Sequence, residues 1–428
     1  MGRSVSMDKM LCSLLGTGLL LGANPLLAET TDQELEALFA EGMQALKDDR
    51  LKTAVEAFNS ILSTAPTLHR AQLELAVAYY RSLRYAEARR LAQQVLDDPA
   101  TPPQVRVSIL AFLAQVDKEE KSFTKAHEFT PSLSVGFMND SNVTVGPSSD
   151  LLDINGNLFT LTAGQKQHDN AVVMSTGLVH LYRPGLTFSS GEQTGSVEWL
   201  SQLSLYHREY SELNAYNQTI VSASTGPAWV VLRHWRAALN LRLDKIWLGG
   251  SQLGLFSSLN PTVTYQFHNG ELSFTGAVTD RAYDAAVNQP REGVYKTIGT
   301  AIGVYFRQRK VATQVGLNLF DFNAKTDRFS NQGWEVYTGA IFQAWPQGSL
   351  FARAALKSID YDGLEPLFNV KRSESEGSLR VGFNHQFVSG YLDKWAINGN
   401  YAITNNDSNV SLYDYQRRQL TLSLSKSF

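Results

Sequence analysis

The sequence predicts an α+β chain in two parts, N-terminal α-helical repeats followed by a transmembrane antiparallel β-barrel of about 14 strands. Three observations carry that expectation. Composition changes abruptly near residue 129, the part before it has helical spacing with an echo 34 residues on, and the part after it alternates apolar and polar residues with a period of two. Of the 31 Gly, 26 lie from Phe129 onward, with all seven Trp and 14 of the 17 Tyr. A Gly-poor, Ala/Leu-rich stretch favours helices, and Gly, aromatic and β-branched residues favour strands and turns. The boundaries expected are 1–28, 29–128 and 129–428.

Residues 1–28 have the make-up of a secretory signal. Arg3 and Lys9 are basic, Leu11–Gly22 is apolar, and Ala28 offers a small residue at a cut site. The apolar run is shorter than the ~20 residues a spanning helix needs. Cleavage removes Arg3, Lys9 and Asp8, leaving 36 basic against 40 acidic residues, and takes away Cys12, the one cysteine. Disulfides then play no part. A net charge of -3 for the 428 residues provides no basic footprint for nucleic acid.

In 29–128, Ala54 and Ala88 lie 34 residues apart within two second-helix patterns, 51–62 and 85–96. Gly42, Ala54, Phe58 and Pro66 fall on the small and aromatic positions of a tetratricopeptide repeat, as do Ala76, Tyr79 and Ala88 in a second copy. Residues 103–120 form a capping helix, and an ordinary α-hairpin bundle is the alternative. In the repeat reading the first helices present Phe39, Met43 and Lys47, then Arg70, Val77 and Arg81, to a concave face that suits a peptide.

From 129 on, the alternation is regular. Val311, Thr313, Val315, Leu317 and Leu319 share one face, opposite Gln314, Gly316 and Asn318. Trp235, Ala237, Leu239, Leu241 and Leu243 oppose Arg236, Asn240, Arg242 and Asp244. Strands are expected near 131–139, 171–182, 196–207, 214–224, 231–246, 252–267, 271–281, 293–306, 311–322, 333–344, 349–358, 371–387, 392–404 and 411–428. Tight turns at Asn269-Gly270, Gln308–Lys310, Pro346-Gln347-Gly348 and Val388–Gly390 fall on one side. Longer loops at 140–170, 281–292, 323–332 and 359–370 fall on the other. Short turns on one side and long loops on the other suit an outer-membrane barrel of even strand count, and lipid forces such a sheet to close. The terminal strand, with Leu420, Leu422, Leu424 and Phe428, has the alternation and last aromatic of a C-terminal barrel assembly signal. Trp199, Trp247, Trp334 and Trp345 fit interface girdles.

Glu198, Arg236, Arg242, Arg353, Glu376 and Arg380 fall on the face expected to line the lumen, as cargo contacts or as ion-pair ladders that stiffen the wall. Asn-Asp-Ser-Asn-Val occurs twice, as Asn139, Asp140, Ser141, Asn142 and Val143 and as Asn406, Asp407, Ser408, Asn409 and Val410. Closure should bring both copies near one seam on the outer side. Asx turns are one reading and a cation or cargo contact is the other. No metalloprotease, serine-hydrolase or phosphate-loop motif occurs and the eight His are scattered, so the chain is expected to be no enzyme, with no catalytic residue, cofactor or metal.

The order signal, short helical repeat, fourteen-strand barrel resembles the surface lipoprotein assembly modulator (Slam) family. Phe129 to Phe137 followed by Asn139-Asp140-Ser141-Asn142-Val143 is similar to that family's opening strand, and Tyr413-Asp414-Tyr415-Gln416-Arg417-Arg418 to its close. The resemblance implies an outer-membrane protein of a Gram-negative bacterium with its helical part in the periplasm, assisting particular lipoproteins or related secreted proteins to the cell surface. Its implied partners are that cargo, outer-membrane lipid and the barrel assembly machinery, with the protein a monomer. A polysaccharide-export barrel and a passive porin are the alternatives. Fourteen strands leave a lumen roughly 15 Å across, wide enough for an extended chain.

Overall fold

A computed structural model describes residues 25–154 and 156–428. The expected signal, 1–28, lies outside the described residues except for its last four positions. Two compact units are present, one reaching to Ala126 and including Arg183–Val197, the other comprising His127–Tyr182 and Glu198–Phe428.

The first unit contains α1 (Pro25–Lys47), α2 (Leu51–Thr64), α3 (His69–Arg81), α4 (Tyr85–Asp97) and α5 (Pro103–Thr124). From the start of α2 at 51 to that of α4 at 85, and from α3 at 69 to α5 at 103, is 34 residues each time. Helical spacing decides which side is buried: Ala54, Ala57, Phe58 and Ile61 on α2, then Ile109, Phe112 and Val116 on α5. Gly42 lets α1 approach α2, since a Cβ there would sit 2.7 Å from the Phe58 ring. Asp49 (φ 60°) and Leu83 (φ 62°) take left-handed conformations after α1 and α3. The next amides then turn back, Arg50 N–H to the Ala45 carbonyl at 2.8 Å and Arg84 N–H to that of Tyr79 at 2.9 Å. These are the bonds that close a helix C-terminus.

The second unit is a closed antiparallel barrel. Its strands are β1 (His127–Asp140), β4 (Asp169–Tyr182), β6 (Gln193–Tyr210), β7 (Gln218–Val231), β8 (Trp235–Leu248), β9 (Ser251–Phe267) and β10 (Gly270–Tyr283). They continue as β11 (Gly293–Phe306), β12 (Val311–Ala324), β13 (Asn331–Trp345), β14 (Gly348–Glu365), β15 (Val370–Gln386), β16 (Trp395–Ser408) and β17 (Tyr415–Ser427). Two short strands, β2 (Leu151–Ile154) and β3 (Asn157–Thr160), pair only with each other, and β5 (Thr187–Ser190) pairs with the start of β6. Setting β5 aside from the fifteen-stranded sheet leaves fourteen, and the ring closes where β4 meets β6 and β1 meets β17.

Each expected strand has its counterpart, with shifted ends. β7 runs on to Val231, so the turn into β8 is 232–234, and β16 begins at Trp395 after the connection 387–394. One loop is corrected. Residues 359–370 were expected to be open, but β14 and β15 extend to Glu365 and back from Val370, leaving only 366–369 between them. The contrast between short turns and long loops is also looser than expected, because 249–250 alone joins β8 to β9 on the long-loop side.

The segment 183–197 packs with the helices. Glu192 accepts from Thr53 through its backbone N–H at 2.9 Å and its hydroxyl at 3.0 Å, and the Glu192 carbonyl accepts from Lys52 N–H at 3.2 Å. The Gln193 amide donates to the Asp49 carbonyl. No side chain at Arg50 caps α2, so Glu192 satisfies first-turn amides from far along the chain.

Candidate functional site

Side chains of register partners share a face, so the wall reads strand by strand. On β8, Leu239, Leu241 and Leu243 are exposed on the exterior, and Arg236, Asn240, Arg242 and Asp244 take the inner face. On β12, Val315, Leu317 and Leu319 lie outside, opposite Gln314, Gly316 and Asn318. On β15, Leu379 and Val381 lie outside, opposite Glu376 and Arg380. An apolar exterior around a polar, water-filled bore is the arrangement of an outer-membrane β-barrel.

Most of the expected lumen charges are paired. Arg236 reaches Glu271 at 3.1 Å, and Arg242 reaches Asp244 at 2.9 Å. Arg353 contacts Glu335 at 3.2 Å and lies 4.1 Å over the Tyr337 ring. Glu376 accepts from the Tyr415 hydroxyl at 3.1 Å. Glu198 lies on the inner face of β6. Arg380 stands in register with Arg353, and among the described residues no carboxylate pairs with it. Toward the end of the barrel away from Phe428, arginines on the inner face pack on aromatic rings. Arg372 sits 3.7 Å from both Tyr361 and Tyr413 with Glu374 at 3.3 Å, and Arg281 lies 4.3 Å from Tyr295.

At the seam, β1 and β17 pair over nine positions, Ser132–Asp140, against twelve to fifteen in the other described barrel ladders. Its inner side is fastened by Asp140, which is fully enclosed. Asp140 accepts from Arg417 (2.5 Å), from the Tyr210 hydroxyl (2.9 Å), from Gln419 (2.9 Å) and from Asn142 N–H (3.1 Å). Beside it Met138, Val143, Ala171 and Tyr210 form a small apolar cluster. Loop 141–168 thus begins by folding inward over the bore.

The two Asn-Asp-Ser-Asn-Val copies do not meet. In the first, Asn142 donates to the Gly146 carbonyl (2.8 Å) and accepts from Gly146 N–H (2.9 Å), and Ser141 N–H donates to the Arg418 carbonyl (3.0 Å). In the second, Asn406 donates to the Tyr413 carbonyl (2.8 Å), and Asn409 is bound to β15 through Ser373 N–H (2.9 Å) and the Lys371 carbonyl (2.8 Å). Ser408 accepts from Val410 N–H at 3.2 Å, and Asp407 is exposed. Among the described residues no bond joins the copies, and no group of three His, Cys, Asp or Glu could hold a metal ion. Each copy closes its own loop against a different neighbour.

The expected peptide face is only partly exposed. Phe39 is a correction: at 4% exposure it belongs to the core, edge-on to Phe58, with the Arg70 guanidinium 3.9 Å over its ring. Arg81 clasps the α1–α2 turn through the Leu46 carbonyl (2.7 Å) and Asp49. Met43 and Val77 are half-buried against that core, and Lys47 is exposed. Burial raises the Glu74 carboxyl on α3 to a pKa of about 7, while the Thr53 amide holds that of Glu192 below its ordinary value.

On the exterior, Trp199, Trp334 and Trp345 are exposed and Trp247 half-buried. At the near end, where the chain enters the barrel, His127, Phe129, His180 and Tyr182 stack outward, with His127 Nδ1 2.9 Å from His180 Nε2. Leu420, Leu422 and Phe428 are exposed, Leu424 half-buried, and Phe428 N–H binds the Pro131 carbonyl at 3.0 Å. Sequence reasoning missed the Asp140 network and the Arg372 cage. Arg417 lies within a motif that the sequence marks, but nothing local identifies Tyr210 or Tyr361 as partners of such charges.

Among solved structures, the chain is similar to OccK9 (OpdG) of Pseudomonas aeruginosa, at 12% identity and a TM-score of 0.34, over 72% of this chain and 100% of that one. It is similar to OmpT, an outer membrane protein of Vibrio cholerae solved with its loop L8 deleted, at 6% identity and a TM-score of 0.40, over 71% and 100%. OprD of Pseudomonas aeruginosa is similar at 8% identity and a TM-score of 0.36, over 72% and 96%. No curated protein matches. Residues 262–425, from within β9 to the end of β17, match a family described as a protein of unknown function (DUF2860).

Proposed function

We propose that this chain is an outer-membrane export barrel that assists lipoproteins or related secreted proteins to the cell surface, in the manner of the surface lipoprotein assembly modulators. The helices would act in the periplasm as tetratricopeptide-like repeats. The observation that carries the reading is the union, in one chain, of a 34-residue helical repeat with a closed barrel whose bore is lined by ion pairs and amides. A bore roughly 15 Å wide passes an extended polypeptide but not a folded domain. Cargo would therefore cross unfolded, and a helical repeat suits the task of holding an unfolded segment.

The test is co-expression with a candidate lipoprotein in a heterologous Gram-negative host. External protease should reach the cargo only when this chain is present. Cargo equally protected with and without it would end the proposal for that cargo. The water-lined bore also suits a passive small-solute pore. That reading predicts solute uptake without cargo and no change in cargo exposure, so the same strains separate the two.

A further inference from the structure

The outer side of the seam carries a groove of about 380 Å³. Phe137, Val172, Leu420 and Leu422 form its walls, and Asn139 and Asn170 its polar end. Phe137 is 71% exposed, and Leu420 and Leu422 beside it are about half exposed. Asn139 Nδ2 donates to Asn170 Oδ1 at 2.9 Å. The other amide atoms, Asn139 Oδ1 and Asn170 Nδ2, make no further bond among the described residues and remain free for a ligand's carbonyl or hydroxyl groups. The ladder at this place is the shortest described, and the Asp140–Arg417 clasp lies directly behind it.

We propose that this groove seats the diacylglyceryl anchor of the cargo, an inference that rests on the lipoprotein-export reading. The reason is a conflict of solvents. The bore is lined by charges and amides, and each methylene drawn from lipid into water costs about 0.8 kcal/mol. A lipidated chain therefore cannot take its acyl groups through the bore and must keep them in the bilayer while its polypeptide crosses inside. The two halves of such a molecule can remain joined only beside a strand pair that opens. The β1–β17 seam has the shortest described ladder, held at its far end by the Asp140–Arg417 clasp, with an apolar cradle on the lipid side and amides at the cradle's end to receive the ester carbonyls. Bulk phospholipid would coat any part of the exterior, whereas this groove is confined to the seam.

The full-length protein in phosphatidylcholine nanodiscs tests this without any export step. Phe137→Cys, Leu422→Cys and, as an exterior control on β12, Leu317→Cys are each labelled with a benzophenone and irradiated with a dipalmitoyl-glyceryl lipopeptide. Adduct yield at the two seam positions should exceed that at Leu317→Cys by about fivefold, equivalent to ~1 kcal/mol of preference. It should be competed by unlabelled lipopeptide but not by the deacylated peptide or phosphatidylglycerol. Equal yields at all three positions, or competition by phosphatidylglycerol as strong as by lipopeptide, would overturn the assignment. A second variant, Val172→Phe, fills the groove without touching the ladder and should abolish the seam adducts; undiminished adducts would count against it. Cargo that reaches the surface with no seam adduct would refute the groove and leave the export reading standing. Seam adducts without surface cargo would do the reverse.

Discussion

Asp140 shows how much one enclosed charge can hold together. Four donors from β6, β17 and the start of loop 141–168 converge on its carboxylate, so three separate segments depend on one group. Removing Arg417 leaves the enclosed Asp140 carboxylate without its counter-ion, which costs about 3–5 kcal/mol, and removing Asp140 costs less because Arg417 keeps some contact with water. Asp140→Asn and Arg417→Gln should therefore both lower the temperature at which the barrel loses its folded mobility in heated gel electrophoresis. The double variant should fall short of the summed losses, and strict additivity would show the pair to be uncoupled. Glu74 is the converse case. Burial raises its carboxyl from 4.5 to a pKa of about 7, so the folded helices favour the neutral form. Stability from this group is full below the unfolded value and is lost as pH rises from ~4.5 through ~7, about 3 kcal/mol at most. Glu74→Gln should stabilise the helical unit by roughly 1–2 kcal/mol at pH 8 and leave it unchanged at pH 4, read from helical circular dichroism on heating. A pH-independent effect would refute burial of the carboxylate as the cause.

Among the elements, α2 is the one that cannot be completed locally. Arg50 precedes it where Ser, Asp or Asn would ordinarily cap, and Glu192 performs that role from a hairpin 139 residues away. Thr53 lowers the Glu192 pKa by donating to the ionised form, so the attachment is present above the ordinary carboxylate range and weakens on acidification through the lowered value. Glu192→Gln should make the 183–197 segment more open to limited proteolysis at neutral pH while the barrel stays folded. Unchanged cleavage would mean that the Lys52 and Gln193 contacts suffice. Strand identity needed no such distant help. Alternation such as Leu239, Leu241 and Leu243 against Arg236, Arg242 and Asp244 declares a strand from its own residues, because lipid and water on opposite faces impose a strict period of two. Strand ends were less legible. β14 and β15 run on to Glu365 and back from Val370, where Arg372, Tyr361, Glu365 and Tyr413 bind one another, an arrangement invisible in any local window.

For the whole molecule, the inward start of loop 141–168 has a measurable consequence. Val143 and Asn142 are enclosed beside Met138, Tyr210 and the Asp140 network, at the end of the bore that also holds the arginine–aromatic contacts. Deleting 147–164 should raise single-channel conductance in planar bilayers by about twofold or more, since a loop that begins by folding inward obstructs ion flow through a bore of ~15 Å. Unchanged conductance would show that the loop does not obstruct the bore.

Composition and periodicity alone determined that a helical region precedes an even-numbered barrel, which strands form it, and which face of each is wet, because those properties are set by nearest neighbours and by the solvent on either side. The pairing of Asp140 with Arg417, the capping of α2 by Glu192, the burial of Phe39 and the separation of the two Asn-Asp-Ser-Asn-Val loops were decided only in three dimensions. Each of these joins residues far apart in the chain, and a polar or aromatic side chain carries no local mark of which distant group will satisfy it once water is excluded.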